Sequence, residues 1–451
     1  MPDLENPIHA APGDARPPRP DTLGLYLAVP FCRAKCTFCN FASGVYPASA
    51  MPAYVAALER QLAAARAWAH RHSLTLPHTI DTIYLGGGTP SLLPPDLLTT
   101  LFHTIREHFH VLPDAEITLE AAPLQLDPDT LDAGLTVGLN RVSFGVQSFV
   151  EAEARATART HSGDEALAEI ERMRRSGVAH VSADLIAGLP GQTTESWHHS
   201  LDRLTEASLD HSSVYMFELD EDSRLGAEAL RGGARFGAAL LPREDIVADW
   251  YAAAIDRLAQ AGLAQYEISN FARPGGRSVH NERYWLRRPY LGVGVDAHSM
   301  LRHAHTGAAA RFAIPEELDA FLAPHHATTW DEPELLTPRE ELEEAWFLGL
   351  RRTAGVSLAL LTRQFGGDAL APFSAVLAEL AEADLLTRTP GDGGPVDRVA
   401  LTRRGQLLSN DVFAALLAAE DQPAPEQNPQ PLPHAETQPS SYPATSIPTI
   451  A

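Results

Sequence analysis

Cysteine is scarce: three residues in a chain of 451, all between positions 32 and 39. So few thiols, so close together, cannot staple a disulfide scaffold, and they point to a reducing compartment and a specialised use of thiolates. A secretory leader is missing, since the first twenty residues carry acids and six prolines where a leader needs a basic start and an apolar run. No later stretch could span a bilayer, so a cytoplasmic protein is expected. Basic residues are in deficit, Lys+Arg 35 against Asp+Glu 58, for a net charge of -23. Such a field repels polyanions and argues against a nucleic-acid partner, and solubility alone accounts for it.

What is present suffices for a large core: 45% of residues are hydrophobic, enough for a main domain and a smaller module. Residues 1–21 and 419–451 read as disordered tails, the second with eight prolines from 421 onward. Between them, strand-like runs at Leu23–Val29, Thr82–Leu85, Glu116–Ala121, Arg141–Gly145, His180–Ile186 and Ser212–Glu218 alternate with helical patterns at Met51–Ala69, Pro94–Phe109, Asp127–Val137, Asp164–Ser176 and Thr194–Ala207. Six β/α units in series predict an α/β fold over 22–219, a parallel sheet curled into a partial (β/α)6 barrel with its functional groups at the carboxyl ends of the strands. An accessory α+β lobe is predicted for 220–334, with a helix at Arg243–Ala261, a strand at Gln265–Ile268 and a Gly-rich stretch at Leu291–His298. Over 335–418, helices at Arg339–Arg352, Leu358–Phe365 and Ala375–Ala383 precede Leu385–Thr389, a turn at Gly391–Gly394, Arg398–Thr402 and a last helix to Leu417. That order reads as a winged-helix-like module for packing or protein contact.

Cys32-x3-Cys36-x2-Cys39 follows the first strand. Three thiolates can ligate three irons of a [4Fe–4S] cubane and leave the fourth open for a small molecule. Structural zinc wants a fourth ligand that this loop lacks, and a redox pair of Cys36 and Cys39 leaves Cys32 idle. With Leu25-Tyr26-Leu27-Ala28-Val29-Pro30-Phe31 leading into it, the loop resembles the opening of the radical S-adenosylmethionine (SAM) superfamily. More narrowly, it resembles the branch of oxygen-independent coproporphyrinogen III dehydrogenase and the HemW haem chaperones. The resemblance implies that the open iron takes SAM and that an electron from the cluster cleaves the sulfonium to a 5′-deoxyadenosyl radical.

The same resemblance implies a SAM cradle strand by strand. Gly87, Gly88 and Thr89, in the run Gly86-Gly87-Gly88-Thr89-Pro90, would take the methionyl end, where glycine lets backbone approach a ligand. Glu120 would accept from the ribose hydroxyls, and Gln147 would supply an amide. Arg159 would clamp the SAM carboxylate, and Asp184 would face the sugar or sulfonium. Tyr26 and Phe38 match aromatic contacts to SAM. The chain departs from the family in having Ala28 where His is usual and Ala122 where Asn is common.

Two features bear on the branch. The dehydrogenase typically has a fourth cysteine just after the third, whereas this chain reads Asn40-Phe41, similar to the Asp-Phe of HemW-type proteins. His280-Asn281-Glu282-Arg283-Tyr284-Trp285 resembles the H-N-x-x-Y-W haem-binding signature of that family. It implies His280 as an iron ligand, with Asn281, Tyr284 and Trp285 beside the porphyrin. Arg283, Arg287 and Arg288 form a local basic cluster in an acidic chain, read as partners for haem propionates with a solvated surface face as the alternative. The resemblance therefore implies a haem carrier that hands haem to acceptor haem proteins, respiratory ones at a membrane surface among them, and an electron donor for the cluster. The alternative is a true dehydrogenase that decarboxylates coproporphyrinogen III propionates, and a third reading is a radical SAM enzyme with an unrelated substrate.

Overall fold

The computed structural model describes residues 17–323, 330–390 and 396–419. The expected tails at 1–16 and 420–451 and the Gly391–Gly394 turn lie outside these residues.

Six parallel strands stand side by side in chain order: β1 (Leu23–Val29), β2 (Thr79–Gly87), β3 (His110–Ala121), β4 (Arg141–Gln147), β5 (His180–Ala187) and β6 (His211–Met216). The intervening helices include α1 (Met51–Arg71), α2 (Pro95–His108), α3 (Pro128–Thr136), α4 (Gly163–Arg175) and α5 (Thr194–Glu206). Local sequence starts several of them: Asp127 caps α3, and reciprocal capping boxes of Ser162 with Glu165 and Thr193 with Ser196 open α4 and α5. Apart from the exposed and half-buried start of β3 at 110–114, the strands are buried almost throughout, as parallel strands covered on both faces must be. Single half-buried positions interrupt them at Tyr26, Glu120, Gly145, Asp184 and Tyr215. Those positions face an interior that water reaches.

The accessory region is not a lobe set beside the barrel, because its strands extend the same sheet at both edges. On one side β7 (Asn270–Ala272) pairs antiparallel with β6, and on the other β8 (Tyr290–Val293) pairs parallel with β1, so the Gly-rich stretch begins within a strand. Next come β9 (Ser299–His303) and β10 (Ala309–Phe312), antiparallel to their neighbours. The strand expected at Gln265–Ile268 breaks at a hairpin instead. Glu267 accepts from the Ser269 amide through its carboxylate at 2.9 Å and from the Asn270 amide through its carbonyl at 3.3 Å, which turns the chain between Ala264–Gln265 and β7. Residues 17–21 are likewise no tail. Pro18 is buried, and the Arg19 amide donates to Asp81 Oδ2 at 3.0 Å.

Helix α6 (Glu244–Gln260) precedes β7, and the short helix α7 (Val279–Trp285) follows it, capped by Ser278. The second compact unit holds residues 338–351 and those from 355 onward. In it α8 (Pro338–Arg351), α9 (Leu358–Phe365), α10 (Phe373–Glu382) and α11 (Ser409–Ala418) accompany a three-stranded antiparallel sheet of Val356–Ser357, β11 (Leu386–Pro390) and β12 (Val396–Leu401). Trp346 and Phe373 pack in its core with ring centroids 5.4 Å apart.

Candidate functional site

The cysteine loop springs from the carboxyl end of β1 and is held by backbone at its base. The Cys32 amide donates to Gly44 O and the Gly44 amide to Pro30 O, each at 2.9 Å. Gly88 and Thr89, leaving β2, donate to Val29 O and Phe31 O, also at 2.9 Å. A Cβ on Gly88 would lie 2.6 Å from Val29 O and 3.0 Å from Phe31 O, so only glycine lets these two turns approach. The three cysteines are free. Thr89 Oγ1 lies 3.7 Å from Cys32 Sγ, and Ser43 Oγ lies 3.9 Å from Cys39 Sγ. Burial pushes the Cys32 and Cys36 thiols up; Thr89 and Ser43 oppose the rise at Cys32, Cys39 adds to the rise of both and Cys32 to that of Cys36, and Arg159 draws both down. The thiols thus share one field with a cation beside it, which suits thiolates bound to iron. No three His, Cys, Asp or Glu among the described residues gather as on a single ion, whereas a cubane takes one thiolate per iron.

Residues that the sequence did not single out brace this loop from the segment after β6. Asn40 Nδ2 donates to Asp220 Oδ2 at 2.5 Å, the Leu225 amide donates to Thr37 O at 2.8 Å, and the Arg224 guanidinium reaches Lys35 O. Asn40 therefore occupies the place after Cys39 as a structural tie.

The interior acids face the same mouth. Tyr84 OH donates to Glu120 Oε1 at 2.8 Å, and Ser143 Oγ lies 3.3 Å from both Asp184 oxygens. Burial raises Glu120 to about 7, opposed by the Tyr84 hydroxyl and the Gly87 amide, and the neighbouring Asp184 adds to the rise. Asp184 rises to about 6 from burial, opposed by Ser213 and Ser143. Both carboxylates are walled in by protein yet touched by water, so a bound cation would favour their ionised forms. Arg159 acts on both acids as well as on the two thiols. Its guanidinium lies over Gly145, where a Cβ would stand 2.8 Å from Arg159 Nη2 and 2.8 Å from Gln147 Nε2, and its Nε is buried without a protein partner. Gln147 takes a left-handed conformation, φ 68°, at an irregularity that ends β4 and turns it toward that arginine. Tyr26 lines the interior 6.0 Å from Tyr84, and Phe38 is half-buried on the cysteine loop. A cluster at the thiols and an amino-acid-bearing sulfonium beside Arg159, Glu120 and Asp184 fit these groups, since the orphaned guanidinium edge wants an anion and the paired acids want a cation. Tyr84, Ser143 and Ser213 were missed because a hydroxyl in an apolar strand carries no signal until the register places it beside a carboxylate.

The H-N-x-x-Y-W segment lies elsewhere. Helix α7 seals the amino-terminal ends of β2 and β3, and His280 through Trp285 are all buried. His280 Nδ1 is 2.9 Å from Thr82 Oγ1 and Nε2 is 2.8 Å from Tyr284 OH, so both ring nitrogens are engaged. Burial, helped by the Arg283 charge, holds the imidazole pKa well below its ordinary value. The expected propionate cluster is not a surface face. Arg283 is fully buried, bonded to Thr22 O at 3.0 Å and Pro289 O at 2.9 Å and ion-paired with the equally buried Asp81, while Arg287 is buried and Arg288 half-buried. Ala28 and Ala122, where the family has polar residues, are buried in the wall.

The thiol loop, Arg159 and the paired acids converge on one end of the parallel barrel, and residues 26–204 match the radical SAM superfamily. Residues 336–408 match the HemN C-terminal domain. Within the superfamily the chain belongs to the HemW family. It is 31% identical to the heme chaperone HemW of Bacillus subtilis over 398 residues, 87% of this chain and 98% of that protein. Against the heme chaperone HemW of Mycobacterium tuberculosis it is 34% identical over 403 residues, covering 87% and 94%. Coproporphyrinogen III oxidase (HemN) from Escherichia coli, a radical SAM enzyme, shares the architecture with a TM-score of 0.73 and 25% identity over 88% of this chain and 90% of that one.

Proposed function

We propose that this chain is a haem chaperone that binds haem and passes it to acceptor haem proteins, with a SAM-bound [4Fe–4S] cluster at its barrel mouth. One observation carries the reading: the likeness to HemW proteins runs across 98% of a whole relative, both units included. The tie from Asn40 to Asp220, in place of a fourth cysteine, agrees with it.

Cys32, Cys36 and Cys39 hold the cluster in this reading, and Thr89 and Ser43 offer hydrogen bonds to sulfur. When bound, the cluster and SAM supply one-electron chemistry at a sulfonium. The chain's own residues then do the orienting. Arg159, with Gln147 beside it, takes the carboxylate, and Gly87 and Gly88 admit the methionyl end. Glu120 accepts from ribose, Asp184 balances the positive sulfur, and Tyr26 and Phe38 shut out water. Haem contacts by His280, Asn281, Tyr284 and Trp285 would require α7 to leave its seat, since as folded His280 offers iron no free nitrogen. Acceptors in the respiratory chain, met at a membrane surface, and an electron donor belong to the same proposal; among the described residues no helix is long and apolar enough to cross a membrane.

The test is anaerobic reconstitution with iron, sulfide, SAM and reductant. A chaperone binds haem with a Soret band and leaves coproporphyrinogen III unchanged. Conversion of coproporphyrinogen III to protoporphyrinogen IX would replace this reading with the dehydrogenase one.

A further inference from the structure

The His280–Trp285 segment has no part in the thiol loop, and its contacts run inward. The His280 ring lies nearly parallel to that of Tyr84, with centroids 5.2 Å apart and planes at 29°. Tyr26 packs against both rings, 6.0 Å from Tyr84 and 6.5 Å from His280. Clamped at both nitrogens by Thr82 and Tyr284, the imidazole cannot turn without breaking a hydrogen bond. Tyr84 in turn donates to Glu120 Oε1 at 2.8 Å, and a Cβ on Gly86 would meet Tyr84 and Glu120 together, at 2.9 and 3.0 Å. The stack therefore reaches from the barrel floor to the carboxylate in the cavity with little room to relax.

We propose that α7 is the floor of the adenosyl pocket, and that His280 is a positioning residue that acts through Tyr84 to aim the Glu120 carboxylate at the ribose of SAM. This rests on the reading of Glu120 as the ribose acceptor. A side chain locked by packing before the ligand arrives loses less rotamer entropy on binding, which is how a supporting layer sharpens a site. His280 suits the task because burial and the Arg283 charge keep it neutral, so the clamp does not titrate across the pH range in which Glu120 does. Glu120 is faced by Tyr84 and the Gly87 amide from β2, Asp184 from β5, and Arg159 from beyond β4. Tyr26 from β1, Tyr215 from β6 and Tyr284 from α7 also lie within its field.

The experiment uses the full chain with its cluster reconstituted. Affinity for SAM and for an analogue without ribose hydroxyls is measured from mildly acid to mildly alkaline pH, beside iron content and the Soret band of added haem. Wild type should prefer SAM by about tenfold, the worth of a hydrogen bond to a charged group. Tyr84→Phe, Tyr284→Phe and His280→Ala should lose most of that preference at unchanged iron content and unchanged analogue affinity. Tyr84→Phe should also move the pH midpoint for SAM upward, because the hydroxyl that favours ionised Glu120 is gone. If His280→Ala fails to fold, His280→Gln keeps one hydrogen-bonding end, toward Tyr284, without the ring and should lose the preference. Retained preference in the His280 and Tyr284 variants, with or without a shifted Soret band, would overturn the inference. Retained preference in Glu120→Gln would instead overturn the ribose reading beneath it.

Discussion

Three consecutive glycines, Gly86, Gly87 and Gly88, give a sharp test of the site because a methyl group added at each meets something different. At Gly88 the new Cβ would stand 2.6 Å from Val29 O, 2.9 Å from Pro30 C and 3.0 Å from Phe31 O. All are backbone, so the turn that carries Cys32 must retreat. The hydrogen bonds from the Gly88 and Thr89 amides, both 2.9 Å, go with it. Two such bonds at about 1 kcal/mol each, plus about 1–2 kcal/mol of strain, put Gly88→Ala about 3–4 kcal/mol below wild type. Gly87 has φ 95° and its nearest neighbour is 3.5 Å away, so Gly87→Ala pays for conformation alone, about 1–2 kcal/mol. At Gly86 the obstacles are the side chains of Tyr84 and Glu120 and not backbone, so Gly86→Ala displaces the packed pair at a cost of about 1–2 kcal/mol and should weaken SAM binding about tenfold. Urea unfolding orders the stabilities, iron and sulfide per chain after reconstitution reports the loop, and equilibrium dialysis reports SAM. A Gly88→Ala protein that keeps its iron and its unfolding midpoint, beside a Gly86→Ala protein that loses iron, would refute this account of the mouth.

Three further outcomes follow from the same geometry. Replacing Asp81 by Asn strands the fully buried Arg283 guanidinium, so thermal or urea unfolding should show a loss of about 3–5 kcal/mol, whereas replacing the pair together by apolar residues should recover most of it. Arg159→Gln should weaken SAM about tenfold or more, and Arg159→Lys should restore only part, because ammonium supplies the charge without the fork; equal recovery by Lys, measured by dialysis, would refute a bidentate clamp. Glu120 rises from 4.5 to about 7 on folding and Asp184 from 3.8 to about 6. The folded chain thus holds protons that the unfolded chain has released, and these groups make the ligand-free protein lose stability as pH climbs through that window. Glu120→Gln should remove about 2 kcal/mol of that loss, allowing for the water in the cleft, seen as a smaller drop in urea midpoint between acid and neutral pH. Cationic SAM should bind more tightly across the same climb and release protons, which calorimetry in buffers of different ionisation enthalpy detects.

Much of the barrel was legible because the signals were local. Leu23–Val29 is apolar throughout, and Ser162 with Glu165 announces a helix start, so these elements fall within a few residues of where periodicity put them. Glu120, Gln147, Arg159 and Asp184 were named by the resemblance to radical SAM proteins and not by any local signal, and the fold brings them close to one another. What stayed hidden was set by register and burial. β8 pairs with β1 in the register Gly24–Tyr290 to Leu27–Val293, which no local pattern announces, and Gly292 admits the following turn, with His298 O only 2.3 Å from where a Cβ would stand. The basic run around Arg283 looked like a face for anions because composition cannot say which way an arginine points. Arg283 runs inward beneath β1, where Gly24 leaves room for its Cδ, to meet an aspartate 202 positions earlier. The same holds for His280: a lone histidine beside aromatics is more often structural, and only the match to the whole motif favoured ligation. Only its two occupied nitrogens and its stacking on Tyr84 separate these possibilities. A motif that recurs with a cofactor need not touch that cofactor; it can shape the floor under the groups that do, and its substitution then disturbs binding at a distance. Loss of haem binding in a His280 variant is therefore informative only when SAM affinity and ribose preference are measured on the same protein.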